Sequence, residues 1–390
     1  MNEALSKIVI TADSHIGEPE AFRKRLPEAF RDDIRKFTYD DDGRMVADTL
    51  LSPTEEDLLR EFRTDPDEGA NIDRRLHDMA LEGVQGEVIF PNRGLGCSLG
   101  TKSAAFYQAW ARTYNDYAWD TFAGHRERFK VAALLAVDDV DECVAEARRC
   151  IDKGFCTLFL PATVPWQPYH LDVWDPLWRL AEEAGVSVNF HIFSGNLAIR
   201  CDFASVGDLD QRRFDLARKV VRDEDESNME ELLNATTLGA AAGMSPIVEL
   251  IGSGALDKFP ELQFVITESE CGWLPWFLQF MDQMQSRRYL NMRKLKHKAS
   301  DYFRRQGTIT ISDDAVGLGN IDFIGAGRMM WGNDYPHDEG TFLRSDGPIA
   351  DIRAKLSDHD AHQVLCGNAA RLYGFDLDHL AAHSHEVAGP

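Results

Sequence analysis

Eight short apolar segments recur along the chain, each followed by sequence compatible with a helix, and this alternation limits the fold more than any other feature. The segments cover residues 8–12, 86–91, 130–137, 157–161, 186–191, 264–268, 308–311 and 329–334. Most have little polar alternation, which is typical of parallel strands buried on both faces. The amphipathic segments 141–153 and 175–184 are each followed by a glycine, the residue that most often follows a helix. Alternating strands and helices favour a parallel α/β architecture, and eight strands favour a closed, TIM-like (β/α)8 barrel over an open sheet.

The length of 390 residues fits one elaborated barrel, because a (β/α)8 barrel needs about 250 residues before insertions. No repeat, low-complexity tract or convincing linker divides the chain, so we expect residues 1–390 to form a single domain. Two stretches exceed the simple repeat, near residues 19–75 and 195–244. We expect the first to form a helical excursion near the barrel mouth. The second follows the fifth strand, on the catalytic side of a barrel, where it can cover the substrate.

The charge balance limits the partners of the chain. It has 42 Lys and Arg residues against 65 Asp and Glu residues, a formal net charge of −23, and such a field repels nucleic-acid phosphates. No apolar stretch reaches the roughly 20 residues that span a bilayer, and the polar N-terminus does not resemble a signal peptide. The seven scattered cysteines lack a C-x-x-C pair, which argues against a zinc knuckle or a disulfide framework. We expect a cytoplasmic homo-oligomer, a dimer or tetramer, that acts on a small molecule and binds neither membranes nor nucleic acid.

Unusual polar residues stand at the ends of three predicted strands. Asp13 and His15 end the first strand, and their i, i+2 spacing directs both side chains to the same side. His191 ends the fifth strand, and Asp334 ends the eighth. All four lie at the carboxyl end of a strand, where barrel enzymes place their catalytic groups.

Carboxylates and imidazoles that converge on one barrel mouth are costly as bare neighbours, and a divalent cation removes that cost. Taken singly, each residue has an ordinary interpretation. A histidine at a strand end is usually hydrogen-bonded structure, and an aspartate before Tyr-Pro can form a turn. The joint placement of the four residues is what predicts a site for one metal ion. Oxygen and nitrogen ligands in this mixture suit Zn²⁺, with Mn²⁺ as the alternative.

Five motifs spread along the chain resemble those of one family. They are Ala-Asp-Ser-His-Ile-Gly-Glu-Pro at 12–19, Asn-Phe-His at 189–191, Glu-Ser-Glu-Cys-Gly-Trp-Leu-Pro at 268–275, Trp-Gly-Asn-Asp-Tyr-Pro-His at 331–337 and Cys-Gly-Asn-Ala-Ala-Arg-Leu-Tyr-Gly at 366–374. Through them the chain resembles the amidohydrolase-related family of the amidohydrolase superfamily, which includes aminocarboxymuconate-semialdehyde decarboxylase, resorcylate-type decarboxylases and related hydrolases. The resemblance implies a distorted barrel with a metal at the carboxyl ends of its strands.

Carried over position by position, the resemblance makes Asp13, His15, His191 and Asp334 the metal ligands. Many members begin with His-x-His or Glu-x-His, whereas this chain begins with Asp13 and His15. Aspartate is shorter than glutamate but is still a hard oxygen ligand, so we expect metal binding to survive the change. The identity of the metal is what the change leaves open.

The sequence departs from the decarboxylases of this family after the sixth strand. The resemblance implies a histidine there that orients or activates a metal-bound water, but residues 267–270 read Thr-Glu-Ser-Glu. A carboxylate near such a water can accept its proton, so Glu268 and Glu270 are candidates, with a solvated glutamate as the alternative for either. We put Glu268 first because it ends the strand. His337 is a third candidate, which could instead contact substrate, orient Asp334 or hold its loop.

Three further residues are candidate substrate contacts. Arg93 follows the second strand and could clamp a substrate carboxylate, since guanidinium groups form bidentate pairs, or form a surface salt bridge. Trp273 follows the sixth strand and could line an aromatic pocket or pack in the core. His170 lies in the loop after the fourth strand.

These features predict a metal-dependent enzyme with two candidate reactions. In the first, a metal-activated water hydrolyses a small organic ester, lactone or amide, aromatic ones included. In the second, the metal anchors an aromatic or ring-cleavage carboxylic acid, which loses carbon dioxide without oxidation. We put hydrolysis first because the histidine of the decarboxylases is missing. A barrel that binds without catalysing is the alternative from another class of protein, and the presence of all candidate ligands argues against it.

Overall fold

Eight parallel strands form one sheet that curls into a nearly closed barrel, with helices between the strands. The computed structural model describes residues 7–31, 38–39, 45–46, 69–96, 103–164, 166–195, 241–287, 294–337 and 340–383. The strands are β1 (Ile10–Ile16), β2 (Gly86–Pro91), β3 (Phe129–Leu134), β4 (Thr157–Thr163), β5 (Ser187–Gly195), β6 (Phe264–Thr267), β7 (Gly307–Ile311) and β8 (Met329–Trp331). Each pairs in parallel with the next strand along the chain, so the predicted (β/α)8 barrel is confirmed.

Helices connect successive strands. The α-helices are α1 (Glu20–Arg25), α2 (Ile72–Glu82), α3 (Ala104–Thr121), α4 (Val140–Lys153), α5 (Asp175–Ala184), α6 (Met244–Ser253), α7 (Ala255–Lys258), α8 (Leu274–Gln285), α9 (Ala299–Gln306), α10 (Ala315–Gly319), α11 (Ile321–Ile324), α12 (Asp346–Lys355), α13 (Asp358–His362), α14 (Asn368–Tyr373) and α15 (Leu377–His383). Shorter elements are 3-10 helices at Glu28–Phe30, Arg93–Gly96, Asp172–Trp174 and Ala326–Arg328, a π-helix at Gln363–Gly367 and a strand pair of Thr38–Tyr39 with Met45–Val46. The helices predicted at 141–153 and 175–184 are confirmed as α4 and α5. No helix within the described ranges is long and apolar enough to cross a membrane.

The barrel closes between β8 and β1 through the residues that follow β8. Ser14 of β1 and Tyr335 form an isolated parallel bridge. The His15 amide donates to the Tyr335 carbonyl (2.6 Å), and the Asp334 amide donates to the Asp13 carbonyl (3.0 Å). Because these bonds involve the predicted metal ligands themselves, barrel closure also sets the distance between the ligands of β1 and Asp334.

The strand ends differ from the predicted ones where the site lies. β1 continues to Ile16 because this residue still pairs with Pro91 of β2, and β5 continues to Gly195, which pairs with Thr163 of β4. β8 stops early, at Trp331. Apolar patterning cannot show these limits, since backbone pairing continues through polar residues wherever a neighbouring strand is present. The predicted ligands on β1 and β5 therefore lie inside strands rather than after them.

The two predicted insertions are described only in part. Within residues 19–75, the described elements are α1, the 3-10 helix that follows it, the short strand pair and the start of α2. The remainder of that stretch, and residues 196–240 of the predicted insertion at 195–244, lie outside the described residues. The single-domain organisation of residues 1–390 stays a prediction.

A fully buried ion pair links α2 to β2 and braces β1. Arg75 Nε lies 2.5 Å from Glu87 Oε2, and neither side chain is more than 2% exposed. The same guanidinium donates to the His15 carbonyl (2.7 Å) and to Ser14 Oγ (3.0 Å). It also lies over the Tyr335 ring, 4.8 Å from the ring centroid. One side chain thus contacts both segments that close the barrel.

We expect Arg75→Met to lower the free energy of unfolding by about 3–5 kcal/mol, because it leaves the Glu87 carboxylate buried without its partner. Arg25→Met is the matched control. It removes an exposed pair with Asp120 (2.8 Å) and should cost at most about 1 kcal/mol. Equilibrium unfolding in urea at neutral pH measures both. Equal losses in the two variants would contradict the bracing role.

Candidate metal centre

β1 brings Asp13 and His15 to the carboxyl end of the barrel through an irregular strand. Its pairing with β2 contains a β-bulge between Thr11 and Ser14, where three residue steps on β1 match two on β2. The Thr11 hydroxyl accepts from the Asn333 amide (2.9 Å), which ties the bulge to the segment after β8. Both side chains are buried, with Asp13 Oδ1 3.6 Å from His15 Nε2. The alternation of side chains along a strand predicts only that Asp13 and His15 share a side. The bulge sets their actual positions at the barrel end.

The two buried histidines present the same ring nitrogen to the centre. His15 Nδ1 donates to the Pro91 carbonyl (3.0 Å), and His191 Nδ1 donates to the Ile192 carbonyl (2.9 Å). A carbonyl oxygen can only accept a hydrogen bond, so each neutral ring carries its proton on Nδ1. The Nε2 atom of each ring is left with a lone pair, which is the form that binds metals.

Each of these lone pairs faces a carboxylate. His191 Nε2 lies 3.3 Å from Asp13 Oδ1. His15 Nε2 lies 3.1 Å from Asp334 Oδ1, yet neither atom completes a well-aligned hydrogen bond in the described part of the chain. Burial, and after it the charge of His337, lowers the pKa of His15, which disfavours a proton between the two atoms. A metal cation satisfies both lone pairs, so the donor set fits one.

Asp334 reaches the centre from a strained backbone just after β8. Its φ of 57° lies in the left-handed region, which residues other than glycine seldom adopt. Gly332 permits the approach to β1, since a Cβ there would lie 2.5 Å from the Asp13 Cβ. His337 Nδ1 lies 2.9 Å from Asp334 Oδ1. Burial acts to raise the pKa of Asp334, but the neighbouring His337 and His15 outweigh it and hold that pKa below its ordinary value.

The four predicted ligands are thus brought together. The ligand atoms of Asp13, His15 and His191 lie within 4.8 Å of one another. Two further groups share these residues and meet the same limit: His15, Asp334 and His337, and Asp13, Glu268 and Asp334. The shared members indicate one centre, with His337 and Glu268 at its edge.

The loop after β6 carries the two glutamates, both with left-handed backbones. The φ angles are 61° at Glu268 and 48° at Glu270. Glu268 Oε2 lies 3.4 Å from His191 Nδ1. The two carboxylate oxygens of Glu270 accept from the amides of Ser312 (3.1 Å) and Asp313 (3.2 Å). Burial, the largest influence, raises the pKa of Glu270 to about 7.

A cavity beside the centre has a strongly acidic lining. The lining residues are Asp13, Glu268, Glu270, Thr310, Ile311, Ser312, Gly332 and Asp334. Four of the eight carry carboxylates, and none of this described lining is lysine or arginine. A cation at the centre therefore decides whether an anion can bind in this cavity, because like charges repel strongly where solvent screening is weak.

The predicted substrate contacts do not line this cavity in the described structure. Arg93 begins a short 3-10 helix after β2, and its side chain lies outside the described residues. His170 is exposed, and its charge acts on Glu249 of α6. Trp273 is half-buried and donates from Nε1 to the Ser269 carbonyl (2.8 Å), which holds the loop after β6.

Three residues that shape the site were missed in the sequence. Thr310 Oγ accepts the Glu268 amide (2.7 Å), and Asp314 accepts amides of the same loop. Both stand at or just after the end of β7. Polar residues at the carboxyl end of a barrel strand are site candidates, so the same argument applied to β7 could have found them. Arg75 gives no such signal, because a charged residue on an amphipathic helix usually faces solvent.

Comparisons with known proteins agree with this architecture. An amidohydrolase from Mycobacterium avium subsp. paratuberculosis is 19% identical with a TM-score of 0.69, over 94% of this chain and 99% of that one. The 5-carboxyvanillate decarboxylase from Sphingomonas paucimobilis is 20% identical with a TM-score of 0.64, over 95% of this chain and 99% of that one. The dihydroxybenzoic acid decarboxylase from Polaromonas sp. JS666 was solved with bound manganese and the inhibitor 2-nitroresorcinol. It is 18% identical with a TM-score of 0.62, over 94% of this chain and 97% of that one. At such identities the likeness shows the fold alone.

Curated proteins provide no match to the chain. The amidohydrolase family matches residues 44–375, which is most of the chain and includes the segments that carry His191 and Asp334. The match begins after β1, so the structure alone places Asp13 and His15 beside those residues. By this match and by its eight-stranded barrel, the chain belongs to the amidohydrolase family and is an enzyme of that family.

Proposed function

We propose that this enzyme is a non-oxidative decarboxylase of an aromatic or ring-cleavage carboxylic acid and works with one Mn²⁺ ion. The observation that carries the proposal is the convergence of two imidazole lone pairs and two carboxylates at the barrel mouth. Structures of the same fold include a 5-carboxyvanillate decarboxylase and a dihydroxybenzoic acid decarboxylase, the latter with manganese bound. These relatives move decarboxylation ahead of hydrolysis, the reaction that the sequence had put first.

Asp13, His15, His191 and Asp334 would hold the metal. When bound, the ion supplies positive charge that anchors the substrate carboxylate and an adjacent oxygen. A mixture of hard carboxylates and imidazoles would suit Mn²⁺, and Zn²⁺ is the alternative. His337 Nδ1 lies 2.9 Å from Asp334 Oδ1 and would orient that carboxylate toward the metal.

The charge of the cavity supports a metal-dependent mode of substrate binding. An aromatic acid is an anion at neutral pH, and four carboxylates line the cavity that it would enter. A metal held by Asp13, His15, His191 and Asp334 would offset this repulsion, so the substrate carboxylate would bind at the centre. Of the other four lining residues, Thr310 and Ser312 carry hydroxyls, which are neutral hydrogen-bonding groups for ring substituents.

We propose Glu268 as the group that delivers the proton. Decarboxylation forms one C–H bond at the carbon that bears the carboxylate; the C–C bond then breaks, and its electron pair returns to the ring as carbon dioxide leaves. Glu268 lines the cavity and lies beside His191, whereas both Glu270 oxygens accept backbone amides and His337 faces Asp334. After each turnover Glu268 recovers its proton from solvent.

Hydrolysis of a neutral ester, lactone or amide is the second candidate. The acidic lining of the cavity favours it, since a neutral substrate meets no repulsion there. In that reaction Glu268 would take a proton from the attacking water instead of giving one to carbon.

The domain organisation, oligomeric state and cellular compartment of the enzyme are proposals as well. We propose that it acts as a single barrel domain in a homo-oligomer, a dimer or tetramer, in the cytoplasm. We propose Arg93 as a clamp for the substrate carboxylate. His170 and Trp273 are proposed as further substrate contacts, although neither lines the cavity.

We expect the purified protein to bind about one Mn²⁺ or Zn²⁺ per chain and to gain thermal stability from it, because a ligand that binds only the folded state stabilises that state. His191→Ala and Asp334→Asn should stay folded and raise the Kd for Mn²⁺ at least about 10-fold. Elemental analysis and the shift of Tm with added Mn²⁺ measure both effects. His359→Ala, at an exposed histidine of α13, is the control and should bind Mn²⁺ like the parent. A parent protein that binds neither ion would overturn the metal centre.

Glu268→Gln should lower kcat by roughly 10²–10⁴-fold, because glutamine keeps the size of the side chain but cannot deliver its proton. The Mn²⁺ content should stay near that of the parent. Glu183→Gln, an exposed glutamate of α5, is the matched control and should keep full activity. Unchanged turnover in Glu268→Gln, beside an inactive Glu270→Gln or His337→Gln, would move the proton role to that residue.

Product analysis separates the two reactions. With dihydroxybenzoic acids and carboxyvanillates as probes, we expect release of carbon dioxide and a ring product that carries one hydrogen from solvent. Heavy-isotope solvent oxygen in the product of an ester, lactone or amide, with no carbon dioxide released from the acids, would replace decarboxylation by hydrolysis.

A further inference from the structure

The loops that follow β6 and β7 hold each other by reciprocal hydrogen bonds between carboxylates and backbone amides. From the β6 loop, the amides of Cys271 and Gly272 donate to Asp314 Oδ2 (2.6 and 2.7 Å). From the β7 loop, the amides of Ser312 and Asp313 donate to Glu270. We call this arrangement of residues 268–272 with residues 310–317 the β6–β7 clasp. Each loop thus contributes one carboxylate that caps the other loop.

The clasp encloses the backbone of the proposed proton donor. The Glu268 amide donates to Thr310 Oγ (2.7 Å) at one end, and the two amides bound by Asp314 follow within four residues. Glu268 and Glu270 both have left-handed φ angles, which residues with a side chain hold only where surrounding contacts require them. The hydrogen bonds of the clasp are the contacts that do so here.

Asp314 is held in one position by tight packing. It is 9% exposed, and its second oxygen accepts the Gly317 amide (2.7 Å) at the start of α10. A Cβ on Gly317 would lie 2.4 Å from Asp314 Oδ2 and 2.3 Å from Cys271 Sγ, so only glycine fits there. Because neither carboxylate oxygen can move without losing an amide, Asp314 transmits the position of the β7 loop to the β6 loop.

We propose that Asp314 is a positioning residue for the reaction and that it acts by fixing the backbone from which Glu268 reaches the cavity. Asp314 does not line the cavity itself, so its effect reaches the substrate through Glu268. The inference rests on the proposed proton role of Glu268. A helix cap alone would explain the bond to Gly317, but it does not explain the bonds to Cys271 and Gly272.

Asp314→Asn tests the inference, because asparagine keeps the shape but loses an acceptor and the charge. We expect kcat to fall by about 10–100-fold, the usual consequence of a reacting group displaced by about 1 Å, with the KM and the Mn²⁺ content within about twofold of the parent. Asp282→Asn is the matched control. Asp282 also bridges two elements, accepting the Ser300 amide (3.0 Å) and hydroxyl (2.7 Å), and its variant should keep the parental kcat.

Gly317→Ala is the second variant, and it displaces Asp314 without changing a charge. We expect the same loss of kcat with an unchanged KM, so the inference stays testable if Asp314→Asn does not fold. Parental kcat in a folded Asp314→Asn or Gly317→Ala protein would overturn it. So would a fall in Mn²⁺ content equal to the loss of activity, because the effect would then act on the metal.

The double variant Glu268→Gln/Asp314→Asn separates positioning from a general loss of structure. If Asp314 acts through Glu268, the double variant should be no slower than Glu268→Gln alone. Losses that multiply would contradict that route. An inactive Glu268→Gln protein beside a fully active Asp314→Asn protein would rule out only the positioning role of Asp314. Full activity in Glu268→Gln would rule out both the proton role of Glu268 and the positioning role of Asp314.

Discussion

The buried guanidinium of Arg75 is the interaction on which the candidate metal centre depends. It meets a carboxylate on β2, a carbonyl and a hydroxyl on β1, and the ring of Tyr335 after β8. A buried charge is tolerated only with its partners in place, so these segments are fixed relative to one another. His15 stands on the braced part of β1, and its amide bonds to the Tyr335 carbonyl. The barrel seam and the centre are therefore held by the same side chain.

The centre itself concentrates unfavourable features at one rim of the barrel. Imidazole lone pairs face carboxylates, and further carboxylates line the adjoining cavity. Of the four residues other than glycine with left-handed backbones in the described structure, Glu268, Glu270 and Asp334 all lie here. Strain of this kind collects at functional sites, where surrounding contacts over-determine the backbone. A cation would offset the repulsion between the carboxylates. The hydrogen bonds of barrel closure and of the β6–β7 clasp hold the left-handed backbone conformations.

The glutamates after β6 stand where the resemblance implies a histidine. A glutamate side chain has one more rotatable bond than a histidine, so fixing its carboxylate at one point costs more conformational entropy. The clasp holds the Glu270 carboxylate directly, through the amides of Ser312 and Asp313. For Glu268 it fixes the backbone that carries the side chain, through Thr310 and Asp314. The barrel thus keeps the candidate metal ligands, while the position of the proposed proton donor carries another residue type with its own support, in line with function residing in sites carried by a shared fold.

The sequence by itself determined the eight-stranded α/β barrel and the four residues that the structure brings together as candidate ligands, Asp13, His15, His191 and Asp334. It did so because apolar runs report burial along a strand, and polar residues at strand ends report the barrel mouth. Only the tertiary structure decided the bulge in β1, the left-handed turns at Glu268 and Glu270, and the buried contacts of Arg75 and Asp314. Each of these depends on hydrogen bonds between segments far apart in the chain, such as Asp314 with Cys271 or Arg75 with His15, and no local pattern of residue types encodes such a contact.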